Sequence, residues 1–83
     1  DIKPLKNANM DKNVYIYPNP AKDVVKISSI SGHSSIVIIY NVMGMKVDEI
    51  EMNSDNIEVN ISDYERGIYF FNVEGEVVKV IKN

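Results

Sequence analysis

Few side chains in this sequence could do chemistry, and their spacing does not favour it. His33 is the only histidine, and it lies in the polar run "SGHSS" with Ser31, Ser34 and Ser35 around it. A serine nucleophile needs an oriented base and an oxyanion site, which adjacent serines in one flexible turn do not supply. His33 reads as a loop residue. Asp48 and Glu49 are neighbours, so in a regular strand they point to opposite faces and make poor partners for acid–base work. "NSDNIE" at 53–58 brings carboxylates together but lacks the twelve-residue calcium-loop pattern and its internal glycine. There is no cysteine, so neither a disulfide framework nor a thiolate metal site is available. The reading is a non-enzyme with no cofactor and no metal.

Binding chemistry has more material. Tyr15, Tyr17, Tyr40, Tyr64, Tyr69, Phe70 and Phe71 fall mostly inside strand-forming runs, where core and domain packing is the first role to expect. A stacking platform for carbohydrate is the alternative. Nucleic acid is not expected as a partner, because a formal net charge of -3 gives no electrostatic case for it. Between Lys46 and Arg66 stand Asp48, Glu49, Glu51, Asp55, Glu58, Asp63 and Glu65 with no base among them. That run is a solvated acidic face or a surface for a basic partner.

The elements that must position these residues are strands. The 83 residues are 45% hydrophobic, enough for one small core and too many for a disordered tail. No run approaches the roughly 20 apolar residues of a membrane helix. "SIVIIYNVM" is about half that length and suits a buried strand. Residues 1–13 are polar, hold Pro4 and show no period, so they form a linker or cleavable arm ahead of a domain at 14–83. A start at Asp1 is that of a processed chain or a piece of a longer one.

Seven strands are predicted: Val14–Tyr17, Val24–Ser29, Ile36–Asn41, Lys46–Met52, Ile57–Ile61, Ile68–Val73 and Val77–Ile81. Their regular spacing is that of a sandwich or barrel. Ile36 to Tyr40 is apolar on both faces, as in a central strand with its second side covered. Met45 and Val47 are out of phase with Ile50 and Met52, and a bulge near Asp48-Glu49 would return all four to the core. Pro18 confines the first strand to an edge, and Asn19-Pro20-Ala21-Lys22 fits a type I turn. Gly44 and Gly75 sit where hairpins use positive φ. "SDYERG" is at most one helical turn, with Ser62 as cap, Glu65 completing a capping box and Gly67 as stop.

Four segments carry a resemblance: "YPNPAKDVVKI" at 17–27, "VIIYNVMGMKV" at 37–47, "VNISDYERGIYFFNV" at 59–73 and "VVKVIKN" at 77–83. In this order and spacing the chain resembles the type A C-terminal sorting domain of the type IX (Por) secretion system, from Asn13 to the last residue. The resemblance matches Pro18, Asn19 and Pro20 to the family's PNP. Tyr40, Gly44 and Val47 match its "YdxxGxxV", with Asn41 in place of the usual aspartate. Gly67 and Tyr69 match its "GxY". Lys79 best matches the late lysine before the apolar pair Val80 and Ile81, with Lys82 as competitor. Arg66 stands where proline or serine is frequent, and "NVEGE" is a short link between the last two strands.

What the resemblance implies is an all-β, seven-stranded immunoglobulin-like β-sandwich at the C-terminus of a cargo protein in Bacteroidota. Such cargo reaches the periplasm by a separate N-terminal signal. The domain is engaged by the outer-membrane translocon and its shuttle protein. A sortase-like cysteine protease then removes it at the cell surface and can join the cargo to anionic lipopolysaccharide. Processing is expected within the arm, near Asn7-Ala8-Asn9. A weak homodimer by strand pairing or swap through Val14–Tyr17 is a further expectation, since edge strands offer open backbone groups. The alternative class is an accessory adhesive module that binds sugar or protein.

Overall fold

Alternating β-branched and polar residues place one face of each short run in a core and the other in water, and the chain builds its strands on that period. The computed structural model describes residues 13–29 and 35–83. Within them run β1 (Val14–Tyr17), β2 (Val24–Ser29), β3 (Ser35–Asn41), β4 (Lys46–Met52), β5 (Asn56–Asn60), β6 (Gly67–Val73) and β7 (Glu76–Lys82). The seven agree with the expected runs to within one residue at each end. The arm at 1–12, and Ser31, His33 and Ser34, lie outside the described residues.

The strands form two sheets, a three-stranded one in the order β1-β2-β5 and a four-stranded one in the order β4-β3-β6-β7. Every pairing between strands is antiparallel. Val14, Ile16, Val25, Ile27 and Val59 face inward from the first sheet, opposite Val37, Ile39, Met52, Tyr69, Phe71, Val73 and Val80 of the second. Ala21 and Ile61, just outside the strands, close the core. The fold is an all-β, seven-stranded, two-sheet sandwich. All seven acids from Asp48 to Glu65 are exposed.

Four local expectations need correction. The bulge exists, but it lies at Val47, where Ile39 pairs with Asp48 and Tyr40 with Lys46. It does not return the first half of β4 to the core: Met45 is 61% and Val47 is 42% exposed, while Met52 is fully buried. β4 is the edge of the wider sheet, and the three-stranded sheet facing it cannot cover four strands along their whole length. β3 is central, yet its second side is not covered among the described residues, with Ile36 exposed and Ile38 and Tyr40 half-buried.

The "SDYERG" stretch makes no helix. A single turn bond runs from the Tyr64 N–H to the Ile61 carbonyl at 3.0 Å. Ser62 does not cap; its N–H and hydroxyl both donate to Asn60 Oδ1, at 2.9 and 2.6 Å. The chain is crossing from one sheet to the other here, and that crossing leaves no room for further helical bonds. Asn19–Lys22 is not a closed type I turn either. Tyr17-Pro18 and Asn19-Pro20 are both cis. The Ala21 N–H is directed at Ile81, in an isolated parallel bridge between Ala21 and Lys82. At the β6–β7 hairpin, Glu74 and Gly75 both have positive φ, as a two-residue type I′ turn requires.

Burial separates core from overhang in a measurable way. Phe71→Ala removes the largest fully buried side chain and should cost about 3–5 kcal/mol. Met45→Ala should stay within about 0.5 kcal/mol of wild type. Urea denaturation of the two variants checks both values, and comparable losses would contradict the exposure of Met45.

Candidate functional site

The motif residues gather in two places. The first is the corner after β1, where the chain leaves one sheet and runs beside the last strand of the other. Lys79 and Ile81 are β7 positions whose backbone groups point away from β6, and Asn83 continues that phase just past the strand. Pro18 and Pro20 carry no N–H, so the corner cannot meet that edge with an ordinary ladder. The Asn19 carboxamide substitutes for a peptide group. Its Nδ2 donates to the Lys79 carbonyl at 2.7 Å, and the Ile81 N–H donates to its Oδ1 at 2.9 Å. Backbone pairing then takes over: Ala21 N–H donates to the Ile81 carbonyl at 2.8 Å, and Asn83 N–H to the Ala21 carbonyl at 2.7 Å. The far half of the β7 edge is thereby occupied.

Pro18, Asn19, Pro20 and Lys79 are exposed, Ile81 is half-buried and Val80 is buried. The two competing lysines differ in place. Lys79 lies on the outer face of the four-stranded sheet, opposite Phe70. Phe70 in turn faces Tyr40, so Tyr40, Phe70 and Lys79 form one cross-strand row. Lys82 points to the inner side, is buried and donates to the Asn83 carbonyl at 3.0 Å.

The second gathering is an open groove of about 620 Å³ between the β3–β4 turn and the β5–β6 connection. Val42, Met43, Val47, Tyr64, Gly67 and Ile68 are among its lining residues. Asn41 shapes the turn. Its Oδ1 accepts the N–H groups of Met43 and Met45 at 2.9 and 3.1 Å, and its backbone bonds Gly44 and Met45 at 3.0 Å each. Only an acceptor oxygen is used, which is why asparagine serves where aspartate is usual. Gly67 has φ +148°, a conformation that L side chains rarely adopt, and an added Cβ would meet no atom within 4 Å. Its glycine is a backbone requirement facing open space.

The groove floor is aromatic. Tyr69 is buried and its hydroxyl donates to the Glu65 carbonyl at 2.7 Å. The Tyr64 and Tyr69 rings meet at 5.1 Å with a 47° tilt. The Tyr64 hydroxyl donates to Asp48 Oδ2 at 3.3 Å, tying the connection to β4. Partial burial, then the charge of Asp48 and the hydrogen bond to it, push the Tyr64 phenol up to about 12. Glu49 bonds Lys46 at 2.8 Å, which holds the exposed lysine above its usual range. Asp48 and Glu49 thus serve different partners. Among the described residues, no group of three His, Cys, Asp or Glu side chains could hold a metal ion.

Tyr40 and Gly44 stand beside the groove rather than in its lining, and Val47, Gly67 and Tyr69 are part of it. Sequence reasoning missed Met43, Tyr64 and Ile68 as site residues. For Met43 the signal was present, since "NVMGM" puts apolar side chains into a tight turn where polar ones are usual.

A family model described as a secretion system C-terminal sorting domain matches residues 15–83. Beta-agarase A of Zobellia galactanivorans is 38% identical over 69 residues, which cover 81% of this chain and 13% of that protein. An endo-acting ulvan lyase of Formosa agariphila is 34% identical over 64 residues, covering 76% of this chain and 12% of that protein. The chain therefore spans only a small part of the length of these relatives. Dimeric latent PorU from Porphyromonas gingivalis, a crystal structure, superposes with a TM-score of 0.58 at 18% identity, over 84% of this chain and 9% of that one. At that identity the likeness is one of fold.

Two outcomes test the geometry. Asn19→Ala removes both side-chain bonds to β7 and should cost about 1–2 kcal/mol, with faster hydrogen exchange at the Ile81 amide. Unchanged exchange there would contradict the clamp. For Tyr64 the folded state favours the neutral phenol. Its contribution is therefore intact below the ordinary value of 10.0 and is lost as pH rises towards about 12. Alkaline titration at the phenolate absorbance should show a late step that Tyr64→Phe abolishes.

Proposed function

The chain belongs to the secretion system C-terminal sorting domain family, and from that premise we propose that its motif segments act as one recognition surface assembled by folding. The domain is a non-catalytic, folded sorting domain of the type IX secretion system. The observation that carries the proposal is the Asn19 clamp, which joins the PNP corner to the terminal strand. Pro18, Asn19, Pro20, Lys79, Val80 and Ile81 are adjacent only in the folded chain, and so are Tyr40, Gly44, Val47, Gly67 and Tyr69.

On this reading the domain brings cargo from the periplasm to the outer-membrane translocon and its shuttle protein. A sortase-like cysteine protease releases the domain at the cell surface by cutting within residues 1–13, and the cargo is joined to anionic lipopolysaccharide. The named relatives, an agarase and a ulvan lyase, support a cargo enzyme acting on a polysaccharide. We class the sandwich as immunoglobulin-like. Strands 1, 2 and 5 lie in one sheet and 3, 6 and 7 in the other, as in the constant-type domain, with strand 4 moved across. A weak homodimer by strand pairing belongs to the same proposal, through β1, because the far half of the β7 edge is occupied.

One observation favours a second reading, an accessory sugar-binding module. Tyr15 and Tyr17 are exposed on the outer face of the three-stranded sheet, and Tyr17 borders a shallow recess with Lys26, Asn56, Ile57 and Glu58. A periplasmic reporter carrying residues 1–83 as its tail, expressed in a strain with the pathway, separates the two. Export of the reporter, with the released tail starting before Tyr17 by mass spectrometry, is the expected result. Retention in the periplasm with the domain folded would leave the sugar-binding reading.

A further inference from the structure

Exposed apolar side chains are unevenly spread over the molecule. Of nine large ones among the described residues, Val42, Met43, Met45, Val47 and Ile68 lie at the end that holds the groove, and Met43 is 77% exposed. Exposed apolar surface gathered around a concavity and rimmed by polar groups marks an interaction site. The groove is also built stiffly. Asn41 holds the turn through four hydrogen bonds, and the Tyr64 and Tyr69 hydroxyls are both engaged. A site held in its bound shape loses less freedom on binding, and methionine side chains adapt to varied partners.

The rim has a sign. Asp63 and Glu65 line the groove, Asp48 lies beneath Tyr64, and Arg66 is the only base in the lining. Lys46, the nearest other base on β4, is engaged by Glu49. Strand addition to the β4 edge is disfavoured here, because the bulge at Val47 breaks the register and Asp48, Glu49 and Glu51 carry charge along it. The surface is therefore read by side chains. We infer that this groove is the docking site for an extended segment of a partner protein that carries a bulky apolar side chain beside a lysine or arginine.

This assignment rests on the sorting-domain reading and gives its recognition a place and a chemistry. The test uses the same exported reporter with residues 1–83 as its tail. Three pairs are compared with wild type: Met43→Asp with Val47→Asp in the groove, Asp63→Lys with Glu65→Lys on the rim, and Ile36→Ser with Val77→Ser elsewhere, both exposed and outside the groove. Circular dichroism of each purified chain confirms a cooperative melt. If the groove pair does not fold, the single Met43→Ser, at a highly exposed position, takes its place. The groove pair should lower export about tenfold or more and the rim pair at least about threefold, with the distant pair within about twofold of wild type.

Export of the groove variant at the wild-type level, with wild type exported, would overturn the docking site and leave the sorting function standing. An unaffected rim pair would overturn the basic partner. Wild type retained in the periplasm would take down both readings. Sedimentation provides the last arm: a wild-type self-association that the groove pair abolishes would assign the groove to a second copy of this chain, and that too would overturn the inference.

Discussion

The last strand of an open sandwich presents an edge of unpaired backbone groups, and here the chain that covers its far half has two prolines with no N–H to give. Most of the structure follows from how that conflict is met. Asn19 turns its carboxamide to the β7 edge and supplies one donor and one acceptor, the pair that a peptide group would have supplied. Ala21 then continues with its own backbone and buries its methyl in the core. The corner is therefore the joint between the two sheets. It lets β1 lie in one sheet while the chain that follows it pairs with the other.

A second constraint is the mismatch between three strands and four. The narrower sheet covers Met52 at the far end of β4 but leaves Met45 and Val47 uncovered. The bulge at Val47 keeps the uncovered end from continuing a regular edge. The chain fills the space beside it with the β5–β6 connection, and the Tyr64–Asp48 and Tyr69–Glu65 bonds fasten that connection down. A groove with apolar walls and an acidic rim is what remains. Its shape is a consequence of the sheet count, and its chemistry follows from the residues that happen to be left outside.

Motif residues take on distinct physical roles in this frame. Gly67 serves a backbone conformation, and Asn41 needs only an oxygen. Tyr69 packs inward while its hydroxyl holds a loop. Lys79 and Tyr40 flank Phe70 across the outer face, whereas Lys82 closes the inner one. Residues sixty or more positions apart meet at the Asn19 clamp, so the corner and the terminal strand are neighbours only in the folded chain.

Strand number, strand position and inward alternation were legible in the sequence, because the period of two along a strand is a local property of the chain. So were the two glycine hairpins, since positive φ has a residue signature. What the sequence could not carry was anything that depended on a distant partner. The corner read locally as a type I turn, and only the nearness of β7 gave the Asn19 carboxamide and the Ala21 backbone their partners. The "SDYERG" stretch read as a capped helical turn, and only the crossing between sheets turned Ser62 toward Asn60 instead. Met45 and Val47 read as core because their residue types ask for burial. Whether a side chain is buried is decided by what faces it, and the facing sheet is one strand too narrow.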